Sequence, residues 1–589
     1  MSGLLRPREP WPRGIEEGLL ARLSGLDAEA LLWVSGYALA LARGGGKARS
    51  VSSASATEAS LAVVYASQTG QARRVAERLA RALEERGNAL RLLDAAELNV
   101  RTLAGLGRVF FAVSTHGDGD PPDAARALFA ELAKAKRGSL ARLGFAVLAL
   151  GDSSYPRFCA AGRWLDQRLV ELGAERLLPL AEADLDIERV AAPWQDEVLA
   201  KVASLSQDPR PVAAILPLPR AVPHGREHPL KAELLDQRRI TFGADARDVR
   251  HLVLGFDGDA PPFEPGDALG VVFAHDDARV ERVLAAAGLR GEERVEVQGQ
   301  NWPIARWLAE RAELTRLSRR LVEALAAVHQ DHELRLALED ASAWQALVAR
   351  FQVAEALARW PRPWTASELS AALTPLSPRL YSLAGSRSEE GEVAVLTVGV
   401  LRTETPAGPR TGACSGFLAG LREGQRLEVF WEPNPRFRLP EDDRDLVMIA
   451  AGTGIAPFRA FLQERIARGS RGRHWLIYGA RRLREDFLYQ LDWLRWRKRG
   501  ALHRLSLAFS REPQRRAYVQ DRLREEGSEL LRWLSEGAAI YVCGGTAMGQ
   551  GVEAALLRIL ESEGRCSPEE ARERLLALSA EGRYRRDLY

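Results

Sequence analysis

Cysteine is scarce in this chain: Cys159, Cys414, Cys543 and Cys566 are the four among 589 residues. No two of them form a C-x-x-C pair, so a disulfide framework is excluded and a reducing compartment is expected. Histidine and cysteine never cluster at zinc or iron–sulfur spacing, so no metal site is expected and any cofactor should be organic. Long apolar runs are missing too. The most apolar early stretch, residues 30–42, is shorter than the roughly 17–25 residues of a membrane-spanning helix. It also lacks a small-residue cleavage site, which makes it a poor signal peptide. A soluble cytoplasmic chain with no membrane partner is the expectation. Nor is there a surplus of one charge. The net charge is +3 and no run of five like charges occurs, so nucleic acid is not an expected partner.

What is present reads as a multidomain α/β protein. The hydrophobic (46%) and charged (27%) fractions are those of a globular chain with sizeable cores, and the length gives a prior of roughly four domains. Residues 1–59 carry one helical stretch, 27–43, then a linker rich in Gly, Ser and Ala. A lone amphipathic helix is expected to dock on a neighbour or on another copy of itself. Residues 60–204 alternate apolar strands with helices. Residues 205–228 include Pro209, Pro211, Pro217, Pro219 and Pro223 and read as a tether. Residues 229–440 read as β structure, most simply a barrel, interrupted by a helical insertion at about 277–373. Residues 441–589 return to parallel α/β patterning.

Three strand–loop–helix units fill 60–204. Leu61–Ala66 runs into Ser67, Gln68, Thr69, Gly70, Gln71 and Ala72, where hydroxyls and free N–H groups at a helix start can surround a phosphate. An ordinary βα turn is the plainer alternative. No Walker lysine follows, which argues against nucleotide triphosphate hydrolysis. Val109–Val113 runs into Ser114, Thr115, His116 and Gly117, and Phe145–Leu150 into Gly151, Asp152, Ser153, Ser154, Tyr155, Phe158 and Cys159. In a parallel sheet such loops gather at the carboxyl edge, where Tyr155 could cover a planar ligand.

Within the β region, Arg379, Leu380, Tyr381 and Ser382 place a planar cation, a ring and a hydroxyl within four residues. That set suits a flavin dinucleotide, against the alternative of a short strand with a solvated face. In the last segment Leu446–Ala451 leads into Gly452, Thr453 and Gly454, a G-x-G-x-x-P pattern that is weak alone. Ser510, Arg511, Arg516, Tyr518 and Gln520 offer two arginines and two hydroxyls. They suit a 2′-phosphate, or else form a solvated basic turn.

Taken in this order, the motifs resemble those of the diflavin reductases. The resemblance implies a flavodoxin-like doubly wound parallel sheet, then a ferredoxin-reductase-like FAD β-barrel with a helical insertion and an α/β NADP-binding domain. Ser67–Ala72 is similar to the family's FMN phosphate loop. Ser114–Gly117 and Leu150–Cys159 are similar to the loops that hold the flavin ring, with His116 where some relatives carry a second aromatic. Arg379–Ser382 matches R-x-Y-S, which implies arginine on the FAD diphosphate, tyrosine against the flavin and serine near its reducible nitrogen. Gly412, Ala413, Cys414 and Ser415 resemble the diphosphate loop that opens a helix, with Cys414 a small filler; Thr315, Thr397, Val398 and Gly399 resemble weaker contacts. The arginine cluster resembles the family's 2′-phosphate motif, which implies NADPH.

By the same resemblance, Ser382, Cys543 and Asp587 form a hydride-transfer cluster and Tyr589 is a movable aromatic lid. One stretch departs from the pattern. Gly545–Gly551 is one residue shorter than usual, and Gly551 falls where an aspartate often contacts NADP. Leu32–Tyr37, Asp248–His251 and Phe487–Gln490 are most similar to the sulfite-reducing branch of the family. That likeness implies electron flow from NADPH through FAD and FMN to a separate haem-bearing (sirohaem, iron–sulfur) sulfite reductase subunit, and a homo-oligomer assembled through the N-terminal helix. The alternatives are a free-standing reductase for another haem or ferric acceptor, or a flavin electron relay with impaired NADPH oxidation.

Overall fold

The first apolar run becomes β1 (Leu61–Ala66), joined by β2 (Leu90–Asp94), β3 (Arg108–Ser114), β4 (Gly144–Leu150) and the short β5 (Glu175–Arg176) and β6 (Ala181–Ala183). This computed structural model describes residues 61–205 and 225–589, apart from positions 118, 154, 156, 227, 244–245, 257–261, 298, 406–407, 442 and 514–515. The helix expected at 27–43, most of the 205–228 tether and the candidate Ser154 lie outside the described residues. The six strands form a parallel sheet in the order 2-1-3-4-5, with β6 beside β4. β3 and β4 are apolar almost throughout because helices cover both faces: Phe111 and Val147 enter one core, Phe110 and Leu148 the other. This is the flavodoxin-like order. Ala66 pairs with Val113 and Ser114 with Leu150, so the three polar loops leave one edge together.

The next layer is antiparallel. It comprises β7 (Leu230–Arg239), β8 (Val249–Phe256), β9 (Ala268–Val272), a hairpin of β10 (Arg294–Val297) and β11 (Gln300–Pro303), β12 (Arg379–Ser382), β13 (Val393–Gly399), a hairpin of β14 (Arg402–Thr405) and β15 (Gly408–Thr411), and β16 (Arg426–Glu432). Six of these form a sheet in the order 12-9-16-7-8-13. Its two edges touch: Leu383 bridges Leu396, and Ala384 N–H donates to Val395 O at 2.8 Å. The sheet therefore curls back around Leu234, Leu252, Val271, Leu396 and Val429.

Among the described residues, seven short helices between β9 and β12 pack around Trp307, Leu321, Leu325 and Leu357. Asp276, Ser318, Asp331, Asp340 and Thr365 each accept a backbone N–H at a helix start. These caps cut the helical stretch into pieces that can wrap the curled sheet.

The last layer is parallel: β17 (Leu446–Ala451), β18 (His474–Ala480), β19 (Arg504–Phe509), β20 (Ala539–Gly544) and β21 (Tyr584–Leu588), in the order 19-18-17-20-21. A buried polar network fixes it to the curled sheet. Arg459 donates to Ala384 O and Glu390 Oε1 at 2.8 Å each and to Asp492 Oδ2 at 2.9 Å. Tyr489 OH meets Thr397 Oγ1 at 2.7 Å and His251 Nδ1 at 3.2 Å.

Candidate functional site

The flavodoxin-like edge carries polar atoms with nothing to bind. The helix Gln71–Glu85 opens at Gly70, whose φ of 78° selects glycine, and no side chain caps it. Its first-turn N–H groups therefore face outward. Ser67 Oγ, Ser114 Oγ and His116 Nε2 are buried without a hydrogen-bond partner. Around them the loops are braced. Thr115 N–H donates to Leu150 O at 2.9 Å, Ala161 N–H to Thr115 Oγ1 at 3.3 Å, and Ser153 donates from N and Oγ to Asp184 at 3.0 and 2.5 Å. Burial pushes the Cys159 thiol far up and the His116 imidazole down, so both stay neutral. Tyr155 remains about half exposed and Phe158 lies under Arg163. Orphaned buried oxygens beside an uncapped helix start fit a phosphate and the polar rim of a flavin, hence FMN.

In the curled sheet, Arg379 donates to Glu313 Oε2 at 2.8 Å and to Ser377 O at 2.6 Å. Glu313 is 2% exposed and also accepts from Thr315 N and Oγ1, at 2.8 and 2.5 Å. Burial raises its pKa, but Arg379 and the Thr315 bonds outweigh that and leave it below the usual carboxylate value. The Tyr381 hydroxyl meets the Cys414 thiol, and burial pushes that thiol up to about 11. Gly412 starts the helix Ala413–Gly420 with no side-chain cap, and Ser415 Oγ accepts from Leu401 N–H at 3.2 Å. An arginine, a ring and an uncapped helix start are the donor set of a flavin dinucleotide, and FAD fits them.

At the junction with the last layer, Ser382 Oγ donates to Asp587 Oδ2 at 3.0 Å, and Cys543 Sγ lies 3.9 Å from the same oxygen. Ladder pairing of β20 with β21 sets Cys543 beside Asp587. Burial raises the Asp587 pKa, partly offset by the Ser382 and Cys543 donors. Burial and that carboxylate together hold Cys543 as a neutral thiol. Tyr589 is 60% exposed yet tied at three points: OH to Thr453 Oγ1 at 2.8 Å, N–H to Gly544 O at 3.1 Å, and O to Thr546 N–H at 3.1 Å. Gly452 has φ 57°, while Gly454 packs against Cys543 O.

Beyond β19, Ser510 and Arg511 hydrogen-bond through N–H to Ala480 O and Arg481 O, and Arg516 donates to Tyr518 OH at 2.8 Å. Gln520 packs against Gly551, where a Cβ would sit 3.3 Å from the glutamine side chain. Burial, and then the charges of Arg247 and Arg511, lower the Arg481 pKa. The Asp486 carboxylate offsets this crowding only in part.

A cavity of about 2080 Å³ joins the flavodoxin-like edge, the curled sheet and the junction at Asp587. It is lined by Ser67, Gln68, Thr69, Gly70 and Gln71 from the first layer, by Leu380, Tyr381, Ser382, Thr397 and Gly399 from the second, and by Thr453, Asp587 and Tyr589 from the third. Single-ligand pockets span about 300–1,000 Å³, so this one exceeds what one flavin needs. Its lining leaves out Ser114–Gly117, Leu150–Cys159, Arg379, Gly412–Ser415 and the 510–520 cluster.

Seven ion pairs among the described residues cross from the flavodoxin-like layer to the rest. They are Arg74–Glu432, Asp94–Arg436, Asp123–Arg586, Arg126–Glu553, Lys134–Glu573, Asp152–Arg316 and Asp186–Arg320.

Sequence reasoning named neither Glu313 nor Arg481 nor Arg247 as site residues. Glu313 meets Thr315 locally but reaches Arg379 only through the fold, as Arg481 reaches Arg247.

A flavodoxin-like sheet ahead of a curled antiparallel sheet and a second parallel sheet, all opening on one cavity, defines a multidomain flavoprotein oxidoreductase. Comparison with known families agrees: residues 63–194 match the flavodoxin model and residues 448–554 the oxidoreductase NAD-binding domain model. The chain is 41% identical over 581 residues to the sulfite reductase [NADPH] flavoprotein alpha-component of Neisseria meningitidis serogroup B, covering 96% of each chain. It is 38% identical over 577 residues to the protein of that name from Shewanella sp. (strain MR-4), again covering 96% of each. The chain belongs to the family of sulfite reductase [NADPH] flavoprotein alpha-components.

Proposed function

We propose that this chain is the NADPH-oxidising flavoprotein of a two-component sulfite reductase, passing electrons to a separate sirohaem and iron–sulfur subunit that reduces sulfite to sulfide. The observation that carries this reading is the Ser382–Asp587–Cys543 contact, opening on a cavity that also reaches the Ser67–Gln71 loop. FAD would supply the acceptor for a hydride from NADPH, and FMN a one-electron carrier.

The chain's own residues supply binding and orientation. Ser67–Ala72, Ser114–Gly117 and Leu150–Cys159 hold FMN. Arg379, Tyr381 and Gly412–Ser415 hold FAD, with Thr315 and Thr397–Gly399 beside it. Gly452–Gly454, Ser510, Arg511, Arg516, Tyr518 and Gln520 hold NADPH. Asp587 presents a carboxyl oriented by Ser382, placed to stabilise the positive nicotinamide ring that hydride loss leaves. Cys543, kept as a thiol, fills the floor without competing as a nucleophile. Tyr589 covers the cavity mouth as a movable lid that would give way to the nicotinamide.

Four free cysteines, and no helix among the described residues long and apolar enough to cross a membrane, support work in the cytoplasm. The N-terminal 59 residues are the proposed route to a homo-oligomer.

Reconstitution with a purified sirohaem subunit tests the reading. NADPH-dependent sulfide formation that needs both proteins is expected, with FAD and FMN released in equal amounts. NADPH oxidation without any transfer to that subunit would overturn the sulfite assignment. A Ser382→Ala variant should keep both flavins and slow hydride transfer; loss of FAD instead would show that Ser382 holds the cofactor.

A further inference from the structure

The first helix of the insertion, Asp277–Ala287, buries a cation that none of the sites above employs. Arg279 is 8% exposed, with its side chain nine-tenths buried. Its Nη2 donates to Thr411 O at 2.9 Å, one residue before Gly412, and its Nη1 pairs with Asp276 at 3.2 Å. Nη1 also lies 3.4 Å from His275 Nδ1. His275 donates from Nε2 to Ala312 O at 2.9 Å, so Nδ1 is the unprotonated nitrogen. Arg279 Nε is buried without a hydrogen-bond partner.

Charge balance gives this arginine a task. A diphosphate brings two negative charges to the uncapped start of the helix Ala413–Gly420, which offers only about half a positive charge. Arg379, the cation expected to meet it, is already neutralised by buried Glu313 at 2.8 Å. The ion-pair partner of Arg279 is Asp276, whose side chain is 60% exposed and screened by water, with Glu313 a lesser and shared counter-charge. A buried guanidinium with a free N–H beside the helix start is the cation that remains.

We propose that Arg279 is a second diphosphate-binding arginine, reaching the dinucleotide of this layer from the insertion while Glu313 holds Arg379 in place. The proposal rests on FAD occupying this layer. It also gives the insertion a direct part in cofactor retention, beyond covering the curled sheet.

The test uses full-length protein stripped of both flavins, with Arg279→Met and Arg279→Lys variants. FAD titration should show Arg279→Met binding roughly 10- to 100-fold more weakly, the worth of a charged hydrogen bond, with Arg279→Lys in between. ADP, as a competitor carrying the diphosphate but no flavin, should lose affinity in parallel. FMN affinity should match wild type in both variants, and so should the melting temperature of flavin-free Arg279→Lys, whereas Arg279→Met melts lower by the loss of its bond to Thr411 O. Equal FAD affinity in Arg279→Met overturns the proposal. So does a drop in flavin-free melting temperature shared by both variants, which would make Arg279 a pin between the insertion and β15. If wild-type protein takes up FMN but no FAD, the assignment of this layer fails rather than the role of one arginine.

Discussion

Gly454 offers a sharp test of how tightly the proposed hydride-transfer cluster is built. A Cβ at this position would lie 2.2 Å from Cys543 O, 2.6 Å from Cys543 C and 2.8 Å from Gly544 Cα. Unstrained carbon–oxygen contacts begin at about 3.3 Å, so alanine overlaps the end of β20 by about 1 Å. The obstacle is backbone, held by five ladder pairs between β17 and β20, and cannot rotate away. Overpacking of this kind costs about 1–3 kcal/mol, which in a layer of about 150 residues lowers melting by about 2–4 °C per kcal/mol. The displaced strand end carries Cys543, and its pairing with β21 carries the shift to Asp587. A misplacement of about 1 Å costs on the order of 100-fold in rate. Anaerobic mixing of Gly454→Ala with NADPH, followed by flavin bleaching, should show hydride transfer slowed by about that factor. FAD and FMN contents should match wild type, and the NADP-binding layer should melt several degrees lower. A wild-type rate with wild-type melting would refute the close approach and the coupling argued from it.

Other outcomes follow from the same geometry. Glu553 accepts from Arg126 at 2.6 and 2.9 Å and from Arg586 at 2.5 Å. Glu553→Gln should therefore remove about 1–3 kcal/mol from the contact of the flavodoxin-like layer, after screening. Small-angle scattering against NaCl should then record separation at lower salt than in wild type, and an identical midpoint would count against the ion pairs as the fastening. Asp587 has a raised pKa, so the folded state binds its proton more tightly than the unfolded state. The stability this contributes is present below the unfolded value and is lost as pH rises through the folded one. Asp587→Asn should accordingly melt higher than wild type at pH 7, converge with it below about pH 3.8, and transfer hydride more slowly; equal melting at pH 7 would contradict the assigned shift. Removing the Tyr589 ring breaks its bond to Thr453. Tyr589→Ala should bind NADP⁺ about 2- to 10-fold more tightly by calorimetry, whereas unchanged affinity would mean the ring is no lid.

Legibility in the sequence tracked burial. β1, β3, β4, β17, β18 and β20 stand out as apolar runs because helices cover both faces of each parallel sheet. β21 does not: Tyr-Arg-Arg-Asp-Leu reads as a charged tail and becomes a strand only through pairing with β20. Its charges are spent on partners far along the chain, Arg586 on Asp123 and Asp587 on Ser382. The insertion read as one helical region, since the caps that divide it matter only once the pieces have a surface to wrap. Site residues grouped in a loop, such as Ser67–Gln71, were visible from local chemistry. The Ser382–Asp587 pair spans 205 residues and entered only through resemblance to a family. Glu313 and Arg279 show the limit of that route, because each is defined by a contact that no spacing announces.

The seven pairs that fasten the flavodoxin-like layer mix both signs on each face: three cations and four anions on its own side, the reverse opposite. Such a face exerts little net pull at long range, and its fit rests on seven matched pairs rather than on one field. It behaves as a lock with wards, selecting one seating and letting go of all others. An electron acceptor that takes the place of the reductase layers on this edge meets a face of mixed sign. A uniformly basic or acidic patch would match it only in part.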